Sequence, residues 1–273
     1  LVDNDGNGTV DLIYAADVGG RIWRFDIDSS NTSANNFATG GIIADFNDGT
    51  ESGNIRFYTQ PDVVYTDYGL FETVDPSDPT NVIAKKEGRY QIAIGSGFRA
   101  GPLSTSVKDK IFVINDFNTT SVPTSGYSKK SVTDLANYKN FSSASYSQIR
   151  NGFYYELTRS GEKVLSTTLT VNNVIYIPTF RPSDSTVNIG CEPDTGQASL
   201  IKIEPLSSPQ TTERKVTTTD LNQGGIVPKP ILVFPPADPA TKKPSEPVIA
   251  IGTEITPVSG DFNAFQQTYW KEN

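Results

Sequence analysis

Asp3, Asp5, Asn7, Thr9 and Asp11 occupy every second position of the run Asp3-Asn4-Asp5-Gly6-Asn7-Gly8-Thr9-Val10-Asp11. Three carboxylates, a carboxamide and a backbone carbonyl at this spacing can converge on one hard cation, because alternate residues of a tight loop point inward. Gly8 supplies the turn after the third ligand, Thr9 offers its carbonyl oxygen and Asp11 closes the sphere. An all-oxygen donor set of this kind selects Ca2+. The spacing matches the first, third, fifth, seventh and ninth positions of an EF-hand loop. The twelfth, where an EF-hand needs glutamate, is Tyr14, inside the apolar run Leu12-Ile13-Tyr14-Ala15. The expectation is therefore a calcium loop that leads into a strand and lacks EF-hand helices. The plainer reading is an exposed Asp/Asn/Gly turn. Five suitable groups in register favour the metal.

Other chemistry finds little support. The chain has no His, so the abundant serines lack the usual general base. Cys191 is the single cysteine and has no imidazole partner; it is either a free thiol or one half of a bridge to a part of the protein outside this segment. Asp45, Asp48 and Glu51 lie in polar loop sequence, where solvation keeps carboxylates ordinary acids. Gly95-Ser96-Gly97-Phe98-Arg99 has backbone amides for an anion but no following lysine and helix, so it reads as a structural turn. Trp23 and Phe25, alternating in a strand, read as core. Arg21 and Arg24 are expected to pair with Asp17 and Asp26 at the surface, with no functional weight.

The elements that must position the loop are strands. With 273 residues, 36% apolar, 22 Gly and 18 Pro, the chain suits short strands joined by turns. The net charge of −8 argues against nucleic acid and against an anionic membrane surface. No apolar stretch approaches the ~20 residues of a membrane span, so no transmembrane segment is expected. A chain that contains no Met and opens on Leu-Val directly before a metal loop reads as a piece of something longer.

Four stretches share the pattern strand, glycine turn, strand, acidic end. They are Leu12 to Asp26; Tyr90–Gly95 with Lys110–Asp116; Lys163 to Thr179 with Ser199–Glu204; and Pro230–Phe234 with Pro247–Gly252. Asn172-Asn173 is a hairpin turn between Thr168–Val171 and Val174–Ile177. The repetition predicts an all-β chain, a partial or modified β-propeller with quinoprotein-like blades, about five or six at most. A sandwich fits the strand pattern as well. Residues 28–54, 66–88, 118–150 and 181–197, rich in Ser, Thr, Asn and Pro, read as long surface loops. Val132–Tyr138 is the best short-helix candidate.

The metal loop followed by Val10-Asp11-Leu12-Ile13-Tyr14-Ala15-Ala16-Asp17-Val18-Gly19-Gly20-Arg21-Ile22-Trp23-Arg24-Phe25-Asp26-Ile27 resembles the C-terminal propeller of the PilC/PilY family, tip-associated adhesins of type IV pili. Ile94–Arg99 with Ile111–Asp116, Gly161–Ser166 with Val174–Ser183 and Cys191, and the ending Thr268–Glu272 are similar to the same family in the same order. The resemblance implies that residues 1–273 are the C-terminal propeller of a longer protein. It carries the family's calcium ligands onto Asp3, Asp5, Asn7, Thr9 and Asp11, with Asn7 replacing a frequent aspartate and removing one charge. It further implies an extracellular, pilus-tip location, periplasmic or outer-membrane-associated during assembly. The expected partners are minor pilins at the tip and a host or abiotic surface receptor, and the expected role is regulation of pilus extension and retraction with support of adhesion. Two other classes share the architecture. A quinoprotein-like dehydrogenase usually needs adjacent cysteines over its cofactor, and only Cys191 is present. An integrin-like calcium propeller repeats its loop in each blade, whereas Asp261-Phe262-Asn263 is only a fragment of a second loop. A non-enzymatic pilus module is the favoured expectation.

Overall fold

A computed structural model describes residues 1–258 apart from 32, 34–36, 68–69, 76–77, 121, 124–125, 184–194, 206–215 and 237–244. Cys191, Asp261–Asn263 and Thr268–Glu272 lie outside the described residues. The chain is built almost wholly of strands. The first sheet is a meander of β1 (Leu12–Ala16), β2 (Arg21–Ile27) and β3 (Ala38–Asp45). The second begins with β4 (Asp62–Thr66). A hairpin of β5 (Leu70–Asp75) and β6 (Asp78–Lys85) follows, then β7 (Arg89–Gly95), β8 (Lys110–Asp116), β9 (Ala136–Asn137), helix α1 (Tyr146–Asn151) and β10 (Gly152–Glu156). Its order is β4-β7-β8-β10-β9, with the β5–β6 hairpin as a separate two-stranded sheet. The third sheet runs β11 (Leu169–Val171), β12 (Val174–Arg181), β13 (Gln197–Ile203) and β14 (Val216–Asp220). The fourth runs β15 (Ile231–Val233), β16 (Val248–Ile251) and β17 (Glu254–Pro257).

Each sheet packs on the next in chain order, the arrangement of successive propeller blades. Between the first and second sheets, Leu12, Ile22, Phe46 and Phe57 meet Ile92, Phe112 and Ile114; the Phe46 and Phe112 rings stack with centroids 4.0 Å apart. Between the second and third, Ala93, Val113 and Phe153 meet Ile175, Ile177 and Ile201. Between the third and fourth, Tyr176 and Leu200 meet Ile249 and Ile251. Each fully buried Ile, Leu or Phe contributes about 1.5–3 kcal/mol, which makes these seams the main source of stability. Among the described residues no ladder joins the first sheet to the fourth, so the blades are separate, open sheets. Four such sheets are present among the described residues, against the five or six set as an upper bound.

Several sequence expectations are corrected. The segments read as loops at 28–54 and 66–88 contain β3, β5 and β6. The segment 118–150 holds β9, most of α1, and Lys130, which bridges β3 through hydrogen bonds of Asp45 N to Lys130 O and Lys130 N to Ile43 O at 2.8 and 2.9 Å. The second sheet thereby clasps the edge of the first. The helix expected at Val132–Tyr138 is a single 3-10 turn, Val132–Asp134, followed by β9. The α-helix lies further on, where Ser145 and Gln148 form a capping box. The Asn172-Asn173 hairpin is as expected: both residues have positive φ, 50° and 57°, as a two-residue turn of primed type requires.

Candidate metal loop and the seam behind it

Residues 3–11 form a loop clamped at its base. Val2 N donates to Leu12 O at 2.8 Å, Leu12 N returns to Val2 O at 3.1 Å, and Asp11 N donates to the same Val2 oxygen at 2.9 Å. The carbonyl of Asp11 accepts from Ile27 N at 2.7 Å, tying the last candidate ligand to the far end of β2. Inside the loop, Asp3 folds back on the backbone, its Oδ1 accepting from Gly6 N at 2.7 Å and its Oδ2 from Gly8 N at 2.8 Å. Gly8 sits at φ +85°, a conformation that favours glycine. The Gly8 amide, helped by those of Gly6 and Asn7 and opposed by partial burial, holds the Asp3 carboxyl below its ordinary value. Asp3 is thus a carboxylate at neutral pH.

The loop brings Asp3, Asp5 and Asp11 together: one oxygen of each lies within 4.8 Å of the others. Calcium–oxygen distances of about 2.3–2.6 Å put ligands on opposite sides of one ion about 5 Å apart, so this spacing fits a shared Ca2+. Asn7 and Thr9 are arranged differently. Asn7 Nδ2 donates to Asp5 Oδ2 at 2.8 Å, while Asn7 Oδ1 accepts both Thr9 N at 2.7 Å and Thr9 Oγ1 at 2.5 Å. The Asn7 carbonyl oxygen reaches a metal only when the Thr9 hydroxyl turns away. The three carboxylates are the assembled part of the set.

Two residues outside the candidate ligand set connect the loop to the sheets. Asn4 N donates to Asp11 Oδ2 at 2.7 Å, and Asn4 Oδ1 accepts the hydroxyl of Tyr90 on β7 at 2.5 Å. Burial raises the Tyr90 pKa, which keeps that hydroxyl a donor. The Tyr90 ring lies 6.2 Å from Tyr14 of β1 and edge-on to Tyr65 of β4 at 5.7 Å. Tyr14 in turn donates to Asp116 Oδ2 at 2.8 Å. No local signal marks Tyr90, because its partner lies 86 positions away.

Asp116 belongs to a buried ionic network that sequence reading placed at the surface. On β2 the buried residues are Ile22, Arg24 and Asp26, while Trp23 and Phe25 are only partly covered. Arg24 forks onto Asp26, with Nε at 3.0 Å and Nη2 at 2.5 Å, and reaches Asp116 Oδ2 and Asn118 O through Nη1 at 2.7 Å each. Tyr127 Oη adds a bond to Asp26 Oδ2 at 2.6 Å. Burial disfavours the Arg24 cation, but the Asp26 fork and the Asp116 charge outweigh it and raise its pKa. Trp23 and Phe25 instead stack on the face turned away from the second sheet, with Trp23 Nε1 bonded to Asp17 Oδ2 at 2.9 Å. The Arg21–Asp17 pair is only partly buried, nearer the surface placement expected.

The remaining sequence candidates are structural or solvated. The amides of Ser96 and Gly97 donate to Lys110 O and Arg56 O, so the glycine turn at 95–99 spends them internally. Asp45 meets Lys129 at 3.3 Å in an exposed pair, and the Thr50 side chain and amide hold the Asp48 carboxyl below its ordinary value.

No protein-family profile and no curated protein sequence matches the chain. Among solved structures, the crystal structure of the Pseudomonas aeruginosa PilY1 C-terminal domain is similar in fold, with a TM-score of 0.59 and 14% sequence identity. The likeness covers 95% of this chain and 59% of that one, so the chain spans well under two thirds of the domain it matches. At this identity the likeness shows the propeller-like fold alone. Among the described residues no helix is long and apolar enough to cross a membrane.

Proposed function

We propose that this chain is a calcium-binding module of a type IV pilus tip-associated protein. In this reading it regulates pilus extension against retraction and supports surface adhesion, with minor pilins and a surface receptor as partners at an extracellular site. The observation that carries it is the clamped loop that gathers Asp3, Asp5 and Asp11 within one ion's reach, at the head of a chain folded like the PilY1 C-terminal domain. Asp3, Asp5 and Asp11 would hold the ion, with Asn7 and the Thr9 carbonyl completing the shell once Asn7 is released from the Thr9 hydroxyl. Bound calcium would supply charge neutralisation and order, not catalysis.

The role of this chain's residues follows from electrostatics. Three carboxylates held this close repel one another, so the loop opens without a cation, and closing it makes the Asn4–Tyr90 bond to the second sheet. A ligand stabilises the arrangement it binds better. Calcium therefore favours the closed arrangement. Calorimetry should find one site in the wild type and none in the Asp3→Ala/Asp11→Ala variant; equal binding by both would remove the metal assignment. At the level of the cell, Asp3→Ala should reduce surface piliation, with adhesion scored separately in a strain unable to retract its pili. Normal piliation with lost adhesion would assign the loop to direct binding instead.

A further inference from the structure

Connections between the sheets line an open cleft of about 590 Å³. Tyr58 and Gln60 reach it from the connection between β3 and β4, Ile226 and Lys229 from that between β14 and β15, and Arg99 from that between β7 and β8. A third inter-sheet connection, between β10 and β11, contributes Leu165 to Thr167. These three connections lead into β4, β11 and β15, each the first strand of its sheet. The strands β4 and β11 are in contact, and Thr170 N donates to Asp62 Oδ2 at 2.6 Å across them. Ser166 Oγ bonds Val227 O and pins two of the connections together. The cleft is therefore framed by the scaffold and does not hang on one loop.

Its charge runs against that of the protein. The chain carries −8 overall, yet among the described residues the cleft is lined by Arg99 and Lys229 and by no acidic side chain. The single hydrogen bond of Arg99 among the described residues is Nη1 to Leu165 O at 3.5 Å, the outer limit for such a bond. Asp62 acts on Lys229 only through space and is engaged by the Thr170 amide. Beside these cations stand two exposed apolar surfaces, Tyr58 at 37% and Ile226 at 42%.

We propose that this cleft binds the free carboxylate of a peptide whose adjacent side chain is apolar. The carboxylate lies against Arg99 and Lys229, Gln60 offers a further donor, and the apolar side chain covers Tyr58 and Ile226. A guanidinium presents its N–H groups in a fork that matches a carboxylate. A polyanion does not fit, because two cations cannot offset its repulsion by a protein of net charge −8. The apolar flanks favour a peptide over a uronic-acid sugar, the other common bearer of a carboxylate.

The test is calorimetric titration of the full chain with N-acetyl-Gly-Ser-Gly-Leu as the free acid, as its C-terminal amide, and with trigalacturonate as the sugar acid. The acid should bind and the amide should bind about tenfold more weakly, as loss of a charge-assisted hydrogen bond implies. Arg99→Gln and Lys229→Gln should each weaken the acid about tenfold and leave the amide unchanged. Ile226→Ser should weaken acid and amide alike. All three positions are exposed, and unchanged thermal melts would establish that the variants fold. Equal binding of acid and amide, an unaffected double Gln variant, absence of peptide binding, or preference for trigalacturonate would each overturn the proposal.

Discussion

Tyr90→Phe isolates the coupling between the candidate metal loop and the sheets. The change removes one oxygen, the donor to Asn4 Oδ1, and leaves a ring that keeps its contacts with Tyr14 and Tyr65. A hydrogen bond of this kind is worth about 1 kcal/mol net, equivalent to about a fivefold change in an equilibrium constant. If the bond exists only when calcium closes the loop, the calcium affinity should fall about fivefold. At a calcium concentration 100 times the dissociation constant, the ion stabilises the wild type by about 2.7 kcal/mol; a fivefold weaker site leaves about 1.8 kcal/mol. The difference, close to 1 kcal/mol, should lower the melting temperature by about 2–4 °C in calcium. In chelator the two proteins should melt together, because the open loop never makes the bond. The assay is a pair of thermal unfolding curves by circular dichroism, with calorimetric titration beside them. An equal drop in calcium and in chelator would mean that the bond is independent of the ion, and the coupling argument would fail. Asn4→Ala should reproduce the effect, and the double variant should add nothing further.

Arg24→Met should destabilise the fold by about 3–5 kcal/mol in urea unfolding, since Asp26 and Asp116 are then buried without their cation. Arg21→Met, on the same strand in the partly exposed pair with Asp17, should cost less than about 1 kcal/mol. Equal costs would refute the buried network. Glu87 is forked by Arg150, which with some opposition from burial lowers its pKa from 4.5 to about 2. A depressed carboxylate contributes stability that is complete above about pH 4.5 and lost as pH falls towards 2. The pair is about 30% exposed, so screening reduces its contribution to about 1 kcal/mol. Glu87→Gln should remove that much at pH 7 and nothing at pH 2; a constant difference across this range would show that the ion pair is not its source.

The strands legible in the sequence are those whose information is local. Leu12–Ala16, Arg89–Gly95, Lys110–Asp116 and Val174–Arg181 are continuous or alternating apolar runs, and the Asn172-Asn173 turn carries its own backbone signature. The sequence Arg21-Ile22-Trp23-Arg24-Phe25-Asp26-Ile27 is different, because both of its alternating sets suit a core. Hydrophobicity alone selects Trp23 and Phe25. The structure instead buries Ile22, Arg24 and Asp26, because Asp116 and Tyr127, about a hundred residues away, satisfy the charges. Strand β3 was hidden for a related reason. Its Gly40 and Gly41 look like loop residues, yet a Cβ at either would press on Phe25 or Tyr127 at 2.3 and 2.5 Å. They are strand glycines required by close approach. The capping box at Ser145 and Gln148 was readable, and it marks the true helix. For the candidate metal loop, alternation located the three carboxylates that converge. It missed Asn4, an off-register residue whose function depends on a tyrosine 86 positions away.

The position of the loop bounds what an ion held there can do. Asp11 is bonded through its backbone to Val2 and to the end of β2, and Asn4 reaches β7, so closure acts across the seam between the first two sheets. Driving a two-state equilibrium from almost wholly one side to almost wholly the other takes about 5.5 kcal/mol of differential binding. A single calcium at 100 times its dissociation constant supplies about 2.7 kcal/mol, a hundredfold bias. If the proposed function holds, a switch governed by this loop must start near balance, with the metal-free molecule already within about two orders of magnitude of its calcium-bound arrangement. The Asn4–Tyr90 bond, worth about 1 kcal/mol, is then a substantial share of the available shift. That proportion makes the seam between the first two sheets, more than the exposed tip of the loop, the place where substitutions should tune the response to calcium.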